Sequence, residues 1–151
     1  MIRRFQRLRS QDPEEGSTLP LIIFYGFLSL VLILLVVSAT SLYLERKRLF
    51  TVADGAALVG AEAFDLDTVA VTPDGPRPVL TPQRVAAAVR VYLADSPRND
   101  FESLSLDDAT TVDGRSATVS LSAQWRPPVV SLLVPEGLRI DVTAVARSVF
   151  F

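Results

Sequence analysis

The chain has 151 residues, 49% hydrophobic and 21% charged, with a net charge of −2, and of its 15 basic residues only Lys47 is a lysine. It has neither His nor Cys, which excludes a thiol nucleophile, a disulfide, a zinc-finger site, a His or Cys haem ligand and a His-based Ser triad. The length allows one compact domain with a modest core, and the near-neutral charge points to no nucleic acid.

A mean hydropathy of +0.33 is high for a soluble domain, and the excess is unevenly spread. Arg3, Arg4, Arg7 and Arg9 make the N-terminus basic, and no residue from Gly16 to Leu44 is charged. About 20 apolar residues span a bilayer as a helix, so this stretch is long enough. Its Leu, Ile, Val and Phe outweigh the cost of inserting Ser29, Ser38, Thr40 and Ser41. Ser17 and Thr18 offer an N-cap, and Pro20 falls in the first turn, where a missing N–H costs little. Tyr25 and Tyr43 sit near the two ends, where amphipathic rings favour the interface. A cleaved signal peptide is the competing reading, but its apolar region runs only about 7–15 residues. The far flank carries Arg46, Lys47 and Arg48, so the charge bias only weakly favours the N-terminus inside and the C-terminal domain outside.

The helix is expected to continue past the membrane to Phe64, about 69 Å in all at 1.5 Å per residue. Leu49, Val52, Ala53, Ala56, Ala57, Val59, Gly60 and Ala63 recur at helical spacing, with Thr51, Asp54, Gly55 and Glu62 opposite. Ala53, Ala56, Ala57, Gly60 and Ala61 form a stripe of small residues. Such a stripe either packs beneath the chain's own sheet or lets a neighbouring subunit approach closely.

Beyond it, Val69 to Thr72 suits a short strand, and Pro73-Asp74-Gly75-Pro76 a turn. Thr81 caps a second helix with Pro82 at its first position; Val85, Ala88, Val89 and Tyr92 give its apolar face, and Ser96-Pro97 ends it. Ala117 to Trp125 alternates as a half-buried antiparallel strand, joined through Asp113-Gly114 to a strand over Leu106 to Val112. Leu138 to Ala146 alternates as cleanly, with Arg139, Asp141 and Thr143 outward. Between these strands Val129 to Val134 is too apolar for an ordinary loop and reads as a short buried segment or a contact patch. The fold class is therefore α+β, a small antiparallel sheet on one or two helices. The organisation is a cytoplasmic basic N-terminus over 1–16, a transmembrane helix over 17–44, a helix extension over 45–64 and an extracytoplasmic domain over 65–151.

Catalytic readings are sparse. Asp65 and Asp67 form an Asp-x-Asp pair, which reads as a solvated loop sooner than a metal site. Asp107 and Asp108 are adjacent, so on a strand they point to opposite faces unless a bulge intervenes. No phosphate-binding Gly loop occurs, so no enzyme, cofactor or metal is expected.

Glu15-Gly16-Ser17-Thr18, the apolar helix, Tyr43-Leu44-Glu45-Arg46-Lys47-Arg48-Leu49 and Ala53-Asp54-Gly55-Ala56-Ala57-Leu58-Val59-Gly60-Ala61 together resemble the TadE/TadG-like proteins of bacterial Tad (Flp) pilus assembly. Pro135-Glu136-Gly137-Leu138 and the strand ending Ala144-Val145-Ala146-Arg147 are similar to the tails of those proteins; residues 65–110 carry no matching motif. The resemblance implies a single-pass inner-membrane protein with a pilin-like shape, acting as a minor pilin or assembly factor in a pilus or secretion system. It implies as partners membrane lipid, other pilus or secretion-system membrane proteins, and further copies of the chain. It also implies a candidate processing site at Gly16–Ser17. Leu21 stands where pilin-like members often carry a Glu, so register with neighbours would rest on packing alone. A membrane-anchored module binding an envelope component is the alternative function, and a metal-dependent enzyme using Asp65 and Asp67 a third.

Overall fold

The computed structural model of the chain describes residues 18–65, 67, 69–72, 75–77, 79–95, 101–126 and 137–148. The sequence expectations for Gly16, Ser17, Pro73, Asp74, Ser96, Pro97 and the apolar run Val129 to Val134 fall outside these residues. The chain divides into two compact units, Met1–Val37 and Ser38–Phe151. The first helix, α1, runs Thr18–Ala61 and contributes to both.

In the first unit the described residues are helical, and all but Leu34 are exposed. Leu19, Ile22, Ile23, Phe27 and Leu35 each leave more than half of their surface uncovered. The most apolar 18-residue window of α1 has a mean hydropathy of 2.8 and is 0% buried. A helix that is apolar on every side needs either a protein interior or a bilayer around it, and the described residues of this chain leave that window uncovered. From Thr18 to Leu44 the helix carries no charge and is about 40 Å long, more than the roughly 30 Å of a bilayer's hydrocarbon core.

In the second unit the same helix becomes core. Leu49, Ala53, Ala56 and Ala57 are 0% exposed, and Val52 and Ala61 nearly so. The helix ends at Ala61, three residues short of the expected Phe64. Glu62 N still donates to Leu58 O at 3.1 Å, but Ala63 N donates to Gly60 O at 3.3 Å, so the last turn tightens from four-residue to three-residue spacing. Phe64 then leaves the helix and packs against the core.

Strands β1 (Ala70–Thr72) and β2 (Gly75–Arg77) form a small antiparallel hairpin. Gly75 and Pro76, expected in the turn, instead lie in β2, which leaves a two-residue connection. Gly75 has φ +109°, a backbone conformation that glycine alone adopts without strain. Helix α2 is Pro82–Asp95, and Val85 N donates to Thr81 O at 3.1 Å, which makes Thr81 the residue flanking its start. Its buried residues are Val85 and Val89.

Strands β3 (Glu102–Thr110), β4 (Ser116–Trp125) and β5 (Leu138–Arg147) form one antiparallel sheet in that order. β4 and β5 pair without interruption from Ser116↔Arg147 to Trp125↔Leu138. Ala117, Val119, Leu121, Ala123 and Trp125 of β4 and Ile140, Val142, Ala144 and Ala146 of β5 turn inward and join α1 and α2 in one core. β3 starts four residues earlier and ends two residues earlier than the Leu106 to Val112 expected from the hairpin turn. Its register against β4 shifts between Glu102 and Ser105 and between Leu106 and Asp108. The residues packed on the core are Leu104, Leu106 and Ala109, a spacing that breaks period two. Ser103, beside the first shift, has φ +53°.

Candidate functional site

The stripe of small residues lies wholly within the second unit and faces inward. Ala53, Ala56, Ala57 and Ala61 are core residues, and Gly60 is buried with them. A Cβ on Gly60 would meet Ala117 Cβ of β4 at 3.1 Å and Val85 and Val89 of α2 at 3.2 and 3.4 Å. Three elements therefore converge on this position, and the missing side chain is what lets them close. Gly55, expected on the outward side, lies under the ring of Tyr92, whose hydroxyl occupies the place of a Cβ. The stripe serves the domain's own core and presents no surface to a neighbouring chain.

The outer face of the sheet is polar. Ser120 and Thr143 hydroxyls lie 2.9 Å apart across β4 and β5. Arg139 Nη2 donates to Asp107 Oδ1 at 2.9 Å, and Arg126 Nε lies 3.0 Å from Glu102 Oε2. The second bulge of β3 makes Asp107 the extra residue, so Asp107 and Asp108 are both exposed on this face. A bulge therefore does intervene where unbroken alternation would have put them on opposite faces. A hydrogen bond from Ser122, and then the Arg139 guanidinium, hold the Asp107 carboxyl below the ordinary carboxylate range. A general acid at neutral pH needs the opposite shift. Ser122 is the buried polar residue beneath this pair, 2% exposed.

Asp65 and Asp67 are joined to α2 and to each other. Arg84 Nη2 donates to Asp65 Oδ2 at 2.6 Å, and Asp67 N to Asp65 Oδ1 at 3.4 Å. Among the described residues no group of three or more Asp or Glu is placed to hold a metal ion. Asp113 closes the β3–β4 connection. Its Oδ1 accepts from the backbone N–H groups of Arg115 at 2.9 Å and Ser116 at 2.6 Å, and its Oδ2 from Ser116 Oγ at 3.0 Å. These backbone donors, Arg115 foremost, lower its pKa to about 2. Gly114 follows at φ +66°. Its carbonyl accepts from Leu80 N at 2.9 Å, tying the turn to the start of α2.

What remains exposed and organised is the other side of α1. Tyr43, Arg46, Lys47 and Phe50 share one face of the helix and, with Val142 and Thr143 of β5, line a groove. A second groove beside it shares Tyr43 and Arg46 and adds Ala39, Leu42, Arg139, Ile140 and Asp141. Tyr43 is 67% and Phe50 47% exposed. Leu42, on the neighbouring side of the helix, packs on the core, and Trp125 Nε1 points at Ser41 Oγ at 3.4 Å. The sequence marked Arg46 and Lys47 only as a basic flank; that they share a face with Tyr43 and Phe50, walled by β5, comes from the fold.

These features define an α+β protein with one candidate membrane helix among the described residues. Residues 16–63 match the family described as "Putative Flp pilus-assembly TadE/G-like", so this third of the chain is TadE/G-like. The matched stretch comprises α1 and the turn that closes it. No curated protein and no solved structure matches the chain.

Proposed function

We propose that the chain is a single-pass inner-membrane component of a Tad-type pilus assembly system that works through protein contacts and catalyses no reaction. In this reading the N-terminus is cytoplasmic, the domain from Ser38 onward is extracytoplasmic, and the partners are other membrane proteins of the pilus machinery. The supporting observation is that the family match covers the apolar half of α1 and its core half together. In this reading one continuous helix both crosses lipid and completes a domain core. A tethered ligand-binding module has no such need, since a flexible linker would serve it.

Deletion of the gene, with pili counted by electron microscopy, tests the proposal. Pili should be lost, and restored by the full chain but not by one beginning at Ser38. The cut belongs at Ser38 because one at Glu45 also removes Ser41 and Leu42, which touch Trp125 and the core. Unchanged pili in the deletion strain would sink the proposal. The chain has no Cys, so a single Cys at Asp95 reports orientation. An impermeant maleimide should label it in intact spheroplasts. The mass of the mature N-terminus distinguishes an unprocessed assembly factor from a chain cut after Gly16.

A further inference from the structure

We propose that the open edge of β5 takes up an extended segment of a partner protein as a fourth strand, with inward side chains in the order apolar, acidic, apolar. β5 ends the sheet, and its ladder with β4 is unbroken from Ser116↔Arg147 to Trp125↔Leu138. Ser148 N donates to Arg115 O at 3.0 Å, which continues the same register by one step. Bonded and non-bonded pairs alternate along an antiparallel ladder, so the even-numbered residues of β5 bond to β4. Arg139, Asp141, Thr143, Val145 and Arg147 therefore turn their backbone N–H and C=O groups to the other side, where no described residue bonds to them. A long edge without bulge or Pro is a template for a further strand. The opposite edge differs, because two register shifts interrupt β3 and Ser103 stands at φ +53°.

The groove beside this edge, which lies wholly within Ser38–Phe151, specifies what the added strand carries. α1 runs alongside β5 in the same direction. Ser41 meets Trp125, the partner of Leu138, and Gly60 meets Ala117, the partner of Ala146. Tyr43, then Arg46 and Lys47, then Phe50 follow one another along the groove, over about 10 Å at 1.5 Å per residue. Three successive residues on one face of a strand span about 13 Å, so three inward side chains meet these three positions. Arg48 pairs with Glu45 and Arg139 with Asp107, whereas Arg46 and Lys47 have no acidic partner among the described residues. A carboxylate at the middle inward position complements them, and apolar side chains on either side cover the exposed Tyr43 and Phe50. The β5 of a second copy lacks this pattern, since its inward residues Ile140, Val142, Ala144 and Ala146 bring no carboxylate.

The test uses the full chain in detergent micelles, the capped peptide Thr-Val-Thr-Glu-Thr-Val-Thr, and amide hydrogen exchange read by NMR. Bound antiparallel, the Thr residues lie opposite the odd-numbered residues of β5 and bond to them, while Val and Glu face inward. Saturating peptide should slow exchange at Asp141, Thr143 and Val145 about tenfold. Methylating the amide nitrogens of the two Thr beside Glu should abolish this, and methylating those of the two Val should not. Gln in place of the peptide's Glu, or Arg46→Gln with Lys47→Gln in the chain, should each weaken binding about threefold. Unchanged exchange at the three amides overturns the proposal. So does an equal effect of the Thr-methylated peptide, which would mean capture by side chains alone, or of the Gln peptide, which would remove the cations from the site. Slow exchange at these amides without peptide also overturns it. If that slowing grows with chain concentration, a second copy holds the edge; if it does not, the chain covers its own edge. The peptide variants leave the chain untouched, so they decide even where the Arg46→Gln/Lys47→Gln chain fails to fold. Pilus counts play no part in this measurement, so its failure and failure of the pilus proposal are separate results.

Discussion

Gly60→Leu is the sharpest probe of how the second unit is built. A Cβ at this position already stands 3.1, 3.2 and 3.4 Å from Ala117, Val85 and Val89, inside the roughly 3.5–4.0 Å optimum for carbon pairs. Leucine adds three further carbons where α1, α2 and β4 converge. Overpacking of this kind costs about 1–3 kcal/mol, against which the better helix propensity of Leu returns about 0.8 kcal/mol. The net loss is on the order of 1–2 kcal/mol, or roughly 4 °C per kcal/mol in melting temperature for a domain of this size. Gly60→Ala calibrates the reasoning. Its three contacts must yield by only a few tenths of an ångström, and the propensity gain is about 1 kcal/mol, so the two effects nearly cancel. Trp125 is the single Trp of the chain and 7% exposed, so its fluorescence reports unfolding of the full chain in detergent. The expected order of melting temperature is Gly60→Ala close to the native chain and Gly60→Leu several degrees lower. A Gly60→Leu chain that melts like the native one while losing pilus assembly would refute the reasoning, because it would place the stripe against a neighbour instead of the domain's own core.

Three further outcomes follow from the same packing. Leu121 is 0% exposed at the centre of the sheet, so Leu121→Ala should cost about 2–5 kcal/mol in denaturant unfolding. Val145→Ala on the outer face should stay within about 0.5 kcal/mol, and equal effects would contradict the assigned faces. The Asp113 carboxyl has a folded pKa of about 2 against an ordinary value of 3.8. Its stabilisation is therefore complete above about pH 4 and is lost as pH falls toward 2. The melting temperature of Asp113→Asn should fall less steeply than that of the native chain between those limits, and parallel slopes would remove the turn from the account. Arg84→Ala breaks an exposed 2.6 Å pair with Asp65, for which a loss of at most about 1 kcal/mol is expected in a thermal melt. A much larger loss would mean that the pair holds α2 in place.

Local rules made several elements legible. Thr81-Pro82 carries its own start signal, and α2 begins there. Strict alternation from Ala117 to Trp125 and from Leu138 to Ala146 gave both strands and both inward faces, because period two survives wherever the ladder is unbroken. β3 was only half legible, since two bulges shift its inward residues to 104, 106 and 109. The same bulges bring Asp107 and Asp108 onto one face, which adjacency alone argues against. Of the candidate site, Arg46, Lys47 and Arg48 were legible only as a basic flank, whereas the shared face of Tyr43, Arg46 and Lys47 and its wall from β5, about a hundred residues away, came from the fold.

The long apolar helix is the clearest case of this division. Twenty-nine consecutive uncharged residues, 16–44, settle that a helix fit to cross a bilayer exists, because the length and the hydropathy are properties of the chain alone. They do not settle where the bilayer's share ends and the domain's begins, since lipid and protein core accept the same Leu, Val and Ala side chains. The tertiary structure shows the domain's share, which begins where Ser41 meets Trp125 and Leu42 packs on the core. From there the partners of the helix are Trp125, Val85, Val89 and Ala117, residues that meet it only once the sheet has folded.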